Sequence, residues 1–285
     1  MKDEIELHDE KIIQEFQDSY ASAVESGKKR ASESNVAIVS IARNSAKNLV
    51  NNIPVLEQIE TYFNKCYFYF YENDSTDNTP ELLESWSNTK SNVEFVTEKL
   101  DTPYLPLSTS NVRTENLARA RNKCLEYVRT IQDKVDYVIV IDTDFTKFSI
   151  NGLMNSFGWF DIDHVSAIAG FSFLLKNVIF PNGTRSNHEM LTNYDSWAYR
   201  HTWWSDTQQV GLMYWFQYWI PLVGSPLIKV NSAFGGCCIY KTKYYLQGKY
   251  SGENCEHVMF HQRLHAASKD FDLHVNPSMI MYVEV

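Results

Sequence analysis

Tyr137-Val138-Ile139-Val140-Ile141-Asp142-Thr143-Asp144-Phe145 runs five apolar residues straight into an Asp-Thr-Asp step. An uninterrupted apolar run of this length, rich in β-branched residues, reads as a strand buried on both faces. Residues two apart in an extended chain share a side, so Asp142 and Asp144 point together as the chain leaves the sheet. Three similar runs precede it: VAIVSIA over 36–42, CYFYFYE over 66–72 and VEFV over 93–96. Helical spacing fills the gaps, from 46 to about 63, over 80–87 and over 112–131. Apolar strands alternating with helices predict an α/β, Rossmann-like unit with a mostly parallel central sheet and helices on both faces.

Toward the N-terminus, Ile12, Ile13, Phe16, Tyr20 and Val24 recur at spacings of three and four. They predict an amphipathic helix within 1–35, ended at Gly27-Lys28-Lys29-Arg30 and packed on the rest. Beyond Asp144 the periodicity weakens. Residues 171–232 hold Trp197, Trp203, Trp204, Trp215 and Trp219 with few clear elements, an aromatic-rich insertion. A strand at 235–241, a helix at 256–267 and a last strand at 279–284 close the chain. Without a repeat or low-complexity linker, 36–285 reads as one domain, with halves at 36–145 and 146–285.

The chain has 285 residues, 44% of them hydrophobic, as a globular protein with a substantial core requires. With 26 basic residues against 35 acidic ones its formal charge is −9, which argues against docking on nucleic acid. An acidic chain can still hold a phosphate-bearing ligand if a divalent cation bridges the two. No basic start leads into an apolar run, no run approaches the roughly 18 apolar residues of a membrane span, and the five cysteines lack CxxC spacing. The expectation is a cytoplasmic protein without a transmembrane segment.

In open parallel sheets ligands bind at the carboxyl ends of the strands. There the chain places Ala42-Arg43-Asn44, then Glu72-Asn73-Asp74-Ser75-Thr76-Asp77, then Asp142-Thr143-Asp144. Clustered carboxylates repel and need a metal or a cationic partner. The pair Asp142 and Asp144 offers hard oxygen ligands suited to Mg²⁺ or Mn²⁺. Two other DxD steps, Asp161-Ile162-Asp163 and Asp270-Phe271-Asp272, do not end a buried strand. Ser75 to Asn78 also serve as turn and helix-capping residues. In Leu117-Ala118-Arg119-Ala120-Arg121-Asn122, two arginines could clamp a diphosphate or pair the carboxylates.

The order strand–ARN, strand–ENDSTDNT, LARARN, strand–IDTDF resembles the donor half of a GT-A-fold glycosyltransferase. It is similar to the family-2 group and to the fungal capsule-type α-mannosyltransferases. The resemblance covers roughly 36–145, with weaker patches in 233–285. Gly252-Glu253-Asn254-Cys255-Glu256 is similar to the capsule type's GEC…SE segment and Asn276-Pro277 to its late NP. This implies a UDP- or GDP-sugar donor, a bound Mn²⁺ or Mg²⁺, and transfer of a hexose or deoxyhexose to a carbohydrate hydroxyl on a glycan or glycolipid. Ala42 and Arg43 would then border the base, Glu72 and Asp74 the base and ribose, and Arg121 the donor phosphates. Asp142 would lie near ribose and metal, and Asp144 on the metal. Glu256 matches the position of an inverting base, with Glu253 as the nearby alternative, and stereochemistry stays open. A third metal ligand would come from His261, His265 or His274, with His274 the choice.

Two other readings compete. A catalytically inactive, sugar-binding relative would keep the same residues. A sugar-phosphate nucleotidyltransferase should open with a Gly-rich loop after the first strand, and Ala42-Arg43-Asn44-Ser45 is not one. The aromatics Trp203, Trp204, Tyr214, Trp215, Phe216, Tyr218 and Trp219 could stack on acceptor sugars, rest at a membrane interface, or pack as a lid over the sheet. Gly235-Gly236 marks a close backbone approach, read as one toward the acceptor.

Overall fold

The computed structural model describes residues 14–105, 110–160, 164–179, 183–201, 216 and 219–283. Its first half alternates β1 (Asn35–Ala42), α2 (Ala46–Glu60), β2 (Lys65–Asn73), α3 (Thr79–Thr89), β3 (Val93–Glu98), α4 (Asn111–Thr130) and β4 (Tyr137–Ile141), after a leading α1 (Gln17–Glu33). β1, β2, β3 and β4 pair in parallel. The second half adds β5 (Phe145–Phe148), α5 (Ile150–Trp159), β6 (Ala167–Ile179), β7 (Arg185–Asn193), β8 (Ile228–Val230), β9 (Cys237–Lys241), a short α6 (Thr242–Tyr245), α7 (Glu256–Ala267) and β10 (Leu273–Val283).

All the described strands join one sheet, ordered β3-β2-β1-β4-β9-β6-β10-β5, with β7 on β6 and β8 on β10. Parallel pairing ends at β4, because β9 runs antiparallel to both β4 and β6. Alternate strand residues feed two cores. Val138 and Val140 of β4 face α4 and α7, packing with Cys124, Val128, Val258 and Leu264. Ile139 and Ile141 face the other helices, packing with Leu49 of α2, Leu83 of α3, and Leu153 and Phe157 of α5. The sheet is therefore sandwiched between helical layers, which is why its strands are apolar on both sides.

Three local expectations are corrected. α1 does not end at Gly27 but continues to Glu33. A Cβ at Gly27 would lie 1.7 Å from the Met154 carbonyl oxygen, and one at Gly158 would lie 2.0 Å from that of Ala23. These glycines let α1 and α5 touch backbone to backbone. Second, the weakly patterned stretch contains the antiparallel ribbon β6–β7. Its β7 sequence, RSNHEMLTN, carries polar residues throughout, so no apolar alternation marks it. Third, the last strand starts at Leu273 and breaks register between Val275 and Ile280. There Asn276 Nδ2 donates to Asn155 Oδ1 at 2.9 Å and Ser156 Oγ at 2.8 Å, so Asn276-Pro277 is a bulge docked on α5.

Ile12, Ile13, Asp161, Asp163, Trp203, Trp204, Tyr214, Trp215 and Tyr218 lie outside the described residues. Of the remaining aromatics, Phe216 stacks on Tyr199 with ring centroids 4.1 Å apart, and Trp219 meets Phe171 edge-on at 5.5 Å. Both pack against the sheet. Among the described residues, no helix is long and apolar enough to cross a membrane.

Candidate active site

β4 delivers the Asp-Thr-Asp step with its two faces already assigned. Thr143 continues the face of Ile139 and Ile141: its Oγ1 donates to Ser45 Oγ at 3.0 Å, and its carbonyl accepts from Asn52 Nδ2 at 2.9 Å. Asp142 and Asp144 take the opposite face, toward α4 and α7. The Asp142 amide donates to the Gly236 carbonyl at 2.8 Å, fixing the strand end against β9.

Arg121 reaches this edge from α4. Its Nη2 donates to Asp142 Oδ1 at 2.8 Å and its Nε to Glu256 Oε1 at 3.1 Å. The guanidinium also lies 4.8 Å from the Phe234 ring centre, and His257 stacks on that ring from another side at 3.7 Å. Burial opposes the arginine's charge, but Asp142 and Glu256 outweigh it and hold the pKa well above its ordinary value. One donor, Nη1, is buried with no hydrogen-bond partner among the described residues. Glu256 is the first residue of α7 and is buried.

Asp144 has a buried Oδ1 with no hydrogen-bond partner among the described residues. Burial, and then the negative charge of Asp142, push its pKa up to about 7, against the pull of Arg121 and Arg113. Two further groups from the end of β7 join the cluster. Asp195 accepts from the Gly235 amide at 2.7 Å and the Ala198 amide at 3.3 Å. Burial pushes its carboxyl up to about 6, and Asp142 and Glu256 add to the rise. The Tyr194 phenol is raised by burial and then by Asp144 and Asp142. Four carboxylates, Asp142, Asp144, Asp195 and Glu256, thus share one edge, and Arg121 bridges two of them, Asp142 and Glu256. An orphaned buried oxygen in such a set fits a divalent cation bound through hard oxygen ligands.

The other strand ends interlock instead of standing open. Glu72 is buried, with Oε1 on the Ser75 amide at 2.8 Å and Oε2 on the Thr97 hydroxyl. Asp74, at φ +55°, accepts from the amides of Leu100, Asp101 and Thr102 at 2.6, 2.8 and 3.0 Å, and from the Thr102 hydroxyl at 2.6 Å. Burial works against its charge, yet the bonds from Thr102, Leu100 and Asn73 hold its pKa well below the usual carboxylate range. Arg43 donates to the Thr102 carbonyl at 2.7 Å and to its hydroxyl at 3.0 Å, with Tyr104 5.3 Å away. The Ala42 methyl is buried in the core. Asp77 ties the Ala46 amide at 3.0 Å to the Thr79 amide at 3.1 Å, so it starts α2 and α3 together. These residues build the 99–104 loop into a wall beside the acidic edge.

Of the expected residues, Asp142, Asp144, Arg121 and Glu256 come together. Glu253 is exposed. His261 is buried between Ser232 Oγ at 2.9 Å and Tyr240 Oη at 2.8 Å, and His265 meets the Asn231 carbonyl at 3.3 Å. His274 does not reach the carboxylates. It pairs with Ile168 in β6, whereas Tyr282, beside β5, pairs with Phe173. Those five steps of β6 span roughly 16 Å. The close approach at Gly235-Gly236 is internal: a Cβ at Gly235 would lie 2.0 Å from the Gly170 carbonyl oxygen and one at Gly236 2.3 Å from Met281 Sδ. Sequence reasoning missed Asp195, Tyr194 and Arg113, since a lone Tyr-Asp in a stretch without periodicity carries no local signal.

No protein-family model matches the chain. No curated protein matches it either. Solved structures do share its fold. The chain is similar to the mannosyltransferase PcManGT from Pyrobaculum calidifontis in complex with GDP-Man and Mn²⁺, at TM-score 0.50 and 12% identity over 93% of this chain and 65% of that one. It is similar to GalNAc-T7 with UDP, GalNAc and Mn²⁺, at 0.51 and 9% over 88% and 44%. A mycobacterial protein matches at 0.53 and 11% over 92% and 71%. The chain spans less than two thirds of the length of the two named glycosyltransferases. At these identities the likeness is one of fold: the architecture is a GT-A-like glycosyltransferase fold.

Proposed function

We propose that the chain is a metal-dependent glycosyltransferase that moves a hexose or deoxyhexose from a nucleotide-diphosphate sugar to a carbohydrate hydroxyl. The observation that carries this reading is the pairing of Asp142 and Asp144 at the end of β4, with an orphaned buried carboxylate oxygen beside a buried arginine. The GDP-Man, UDP and Mn²⁺ held by the structures of like fold support a UDP- or GDP-sugar with Mn²⁺ or Mg²⁺. Asp144 and Asp142 would hold the cation, which when bound offsets the charge of the leaving diphosphate.

The chain's own residues supply the rest. Arg121 is a fixed positive charge, oriented by Asp142 and Glu256, with Nη1 left to donate to a phosphate oxygen. Arg43 and the loop that Asp74 holds form the wall for base and ribose, with Glu72 and Ala42 shaping it from behind. Glu256 gives Arg121 one oxygen, while Oε2 meets, among the described residues, the Cys255 thiol at 3.9 Å. That oxygen accepts the proton of the acceptor hydroxyl, and attack from that side transfers the sugar with inversion. Glycan and glycolipid acceptors both fit this chemistry. The five cysteines are buried free thiols, in keeping with a cytoplasmic setting.

Thermal shift with UDP, GDP and their sugars, with and without Mn²⁺, tests the reading. One nucleotide diphosphate is expected to raise Tm by about 5 °C at a hundredfold excess over Kd, only with Mn²⁺ present. Asp144→Asn should abolish that shift and sugar transfer without lowering the Tm of the metal-free chain. No Mn²⁺-dependent shift with any nucleotide would sink the proposal.

A further inference from the structure

Away from the acidic edge, His164, Asp272 and His274 converge. One ligand atom from each lies within 4.8 Å of the others. The rings of His164 and His274 are 6.0 Å apart, and His274 Nδ1 is buried with no hydrogen-bond partner among the described residues. Asp272 belongs to the DxD step that ends no strand. Its backbone is locked to the start of β6: its carbonyl accepts from the Ser166 and Ala167 amides at 2.9 and 3.2 Å, and its amide donates to Ser166 Oγ at 3.1 Å. His274 sits one rung further in, between β6 and β8. Two of the three groups are therefore buried and held by the sheet, while His164 is exposed.

We propose that His164, Asp272 and His274 form a second, Zn²⁺-class metal site, separate from the carboxylate edge. Two imidazoles and a carboxylate are the borderline donors zinc prefers, unlike the all-oxygen pair of Asp142 and Asp144. Ligand atoms on tetrahedral zinc stand about 3.4 Å apart, so a modest swing of the exposed His164 closes the present spacing. Lys229 Nζ lies 2.9 and 3.0 Å from the two Asp272 oxygens. Its side chain is 69% exposed, so it can orient the carboxylate from outside or withdraw from it. A metal here ties the segment entering β6 to β10, which makes it a structural clamp with an open fourth position.

The site stands independently of the glycosyltransferase reading, and so does its test. A tag-free chain carrying Asp144→Asn is titrated with Co²⁺, followed by its visible d–d absorption, and with Zn²⁺, followed by Tm. One equivalent of Co²⁺ should bind, be displaced by Zn²⁺, and raise Tm by about 5 °C at a hundredfold excess of Zn²⁺ over Kd. Adding His164→Ala, a surface change that spares the fold, should remove both signals. Absence of the signals in the parent background, or their survival in His164→Ala, overturns the site.

Discussion

Arg121 illustrates how one residue can carry both stability and chemistry. Its guanidinium bridges Asp142 and Glu256 where, among the described residues, no other Lys or Arg pairs with either carboxylate. Removing one partner of such a buried set costs about 3–5 kcal/mol, because the remaining charges stay out of water unneutralised. Glu256 divides its work between the two oxygens, and that division can be tested. Glutamine keeps an oxygen for Arg121 Nε but loses the charge that accepts a proton. Glu256→Gln should lower kcat by about 10²–10⁴ with little change in donor KM. Glu253→Gln, on an exposed side chain, should leave both unchanged. Steady-state kinetics decides it: near-parental kcat in Glu256→Gln would remove that residue from the chemistry.

At the scale of elements, the helices are placed by a few contacts that local patterns do not announce. α1 and α5 meet through Gly27 and Gly158 with no side chain between them. In most helices a Gly→Ala change gains about 0.5–1 kcal/mol. At Gly27 the new methyl would overlap the Met154 carbonyl and force the helices apart. A net loss of about 2 kcal/mol is expected, or about 5 °C in Tm, read by calorimetry. An unchanged or higher Tm in Gly27→Ala would show that the contact is not close. The strand-end segments behave similarly. ARN and ENDSTDNT look like ligand-binding text, yet most of their polar atoms bond to one another, and Asp77 alone caps two helices.

Across the whole molecule, buried histidines set the response to acid. His261 is bonded at both ring nitrogens, and burial, then the neighbouring His265, lowers its pKa to about 3 from an ordinary 6.5. His257, buried against Phe234 and Arg121, is lowered as well. The unfolded chain therefore binds protons that the native one refuses. The stability tied to His261 is complete above pH 6.5 and is lost as pH falls toward 3, about 2 kcal/mol of it by pH 5. Urea unfolding at pH 7 and pH 5 measures it. His261→Gln should be less sensitive to that change than the parent, and an equal drop in both would refute the assignment.

How much of this was legible beforehand follows from the range over which each signal acts. The four parallel strands, their helices and the Asp142–Asp144 pair at an exit from the sheet could all be read from residue patterns. Burial on two faces requires an unbroken apolar run, and a strand's period of two sets its side chains, whatever lies elsewhere in the chain. Convergence has no such local signature. Asp195 joins Asp142 and Glu256 because β7 folds back on β6, and Arg121 meets Glu256 because α4 and α7 cover the same face. His274 leaves the expected site for Asp272 and His164 because β10 pairs with β6 from Leu273 onward. Those positions are decided by pairings between distant strands, whose energies depend on the closed sheet and not on any neighbouring residue.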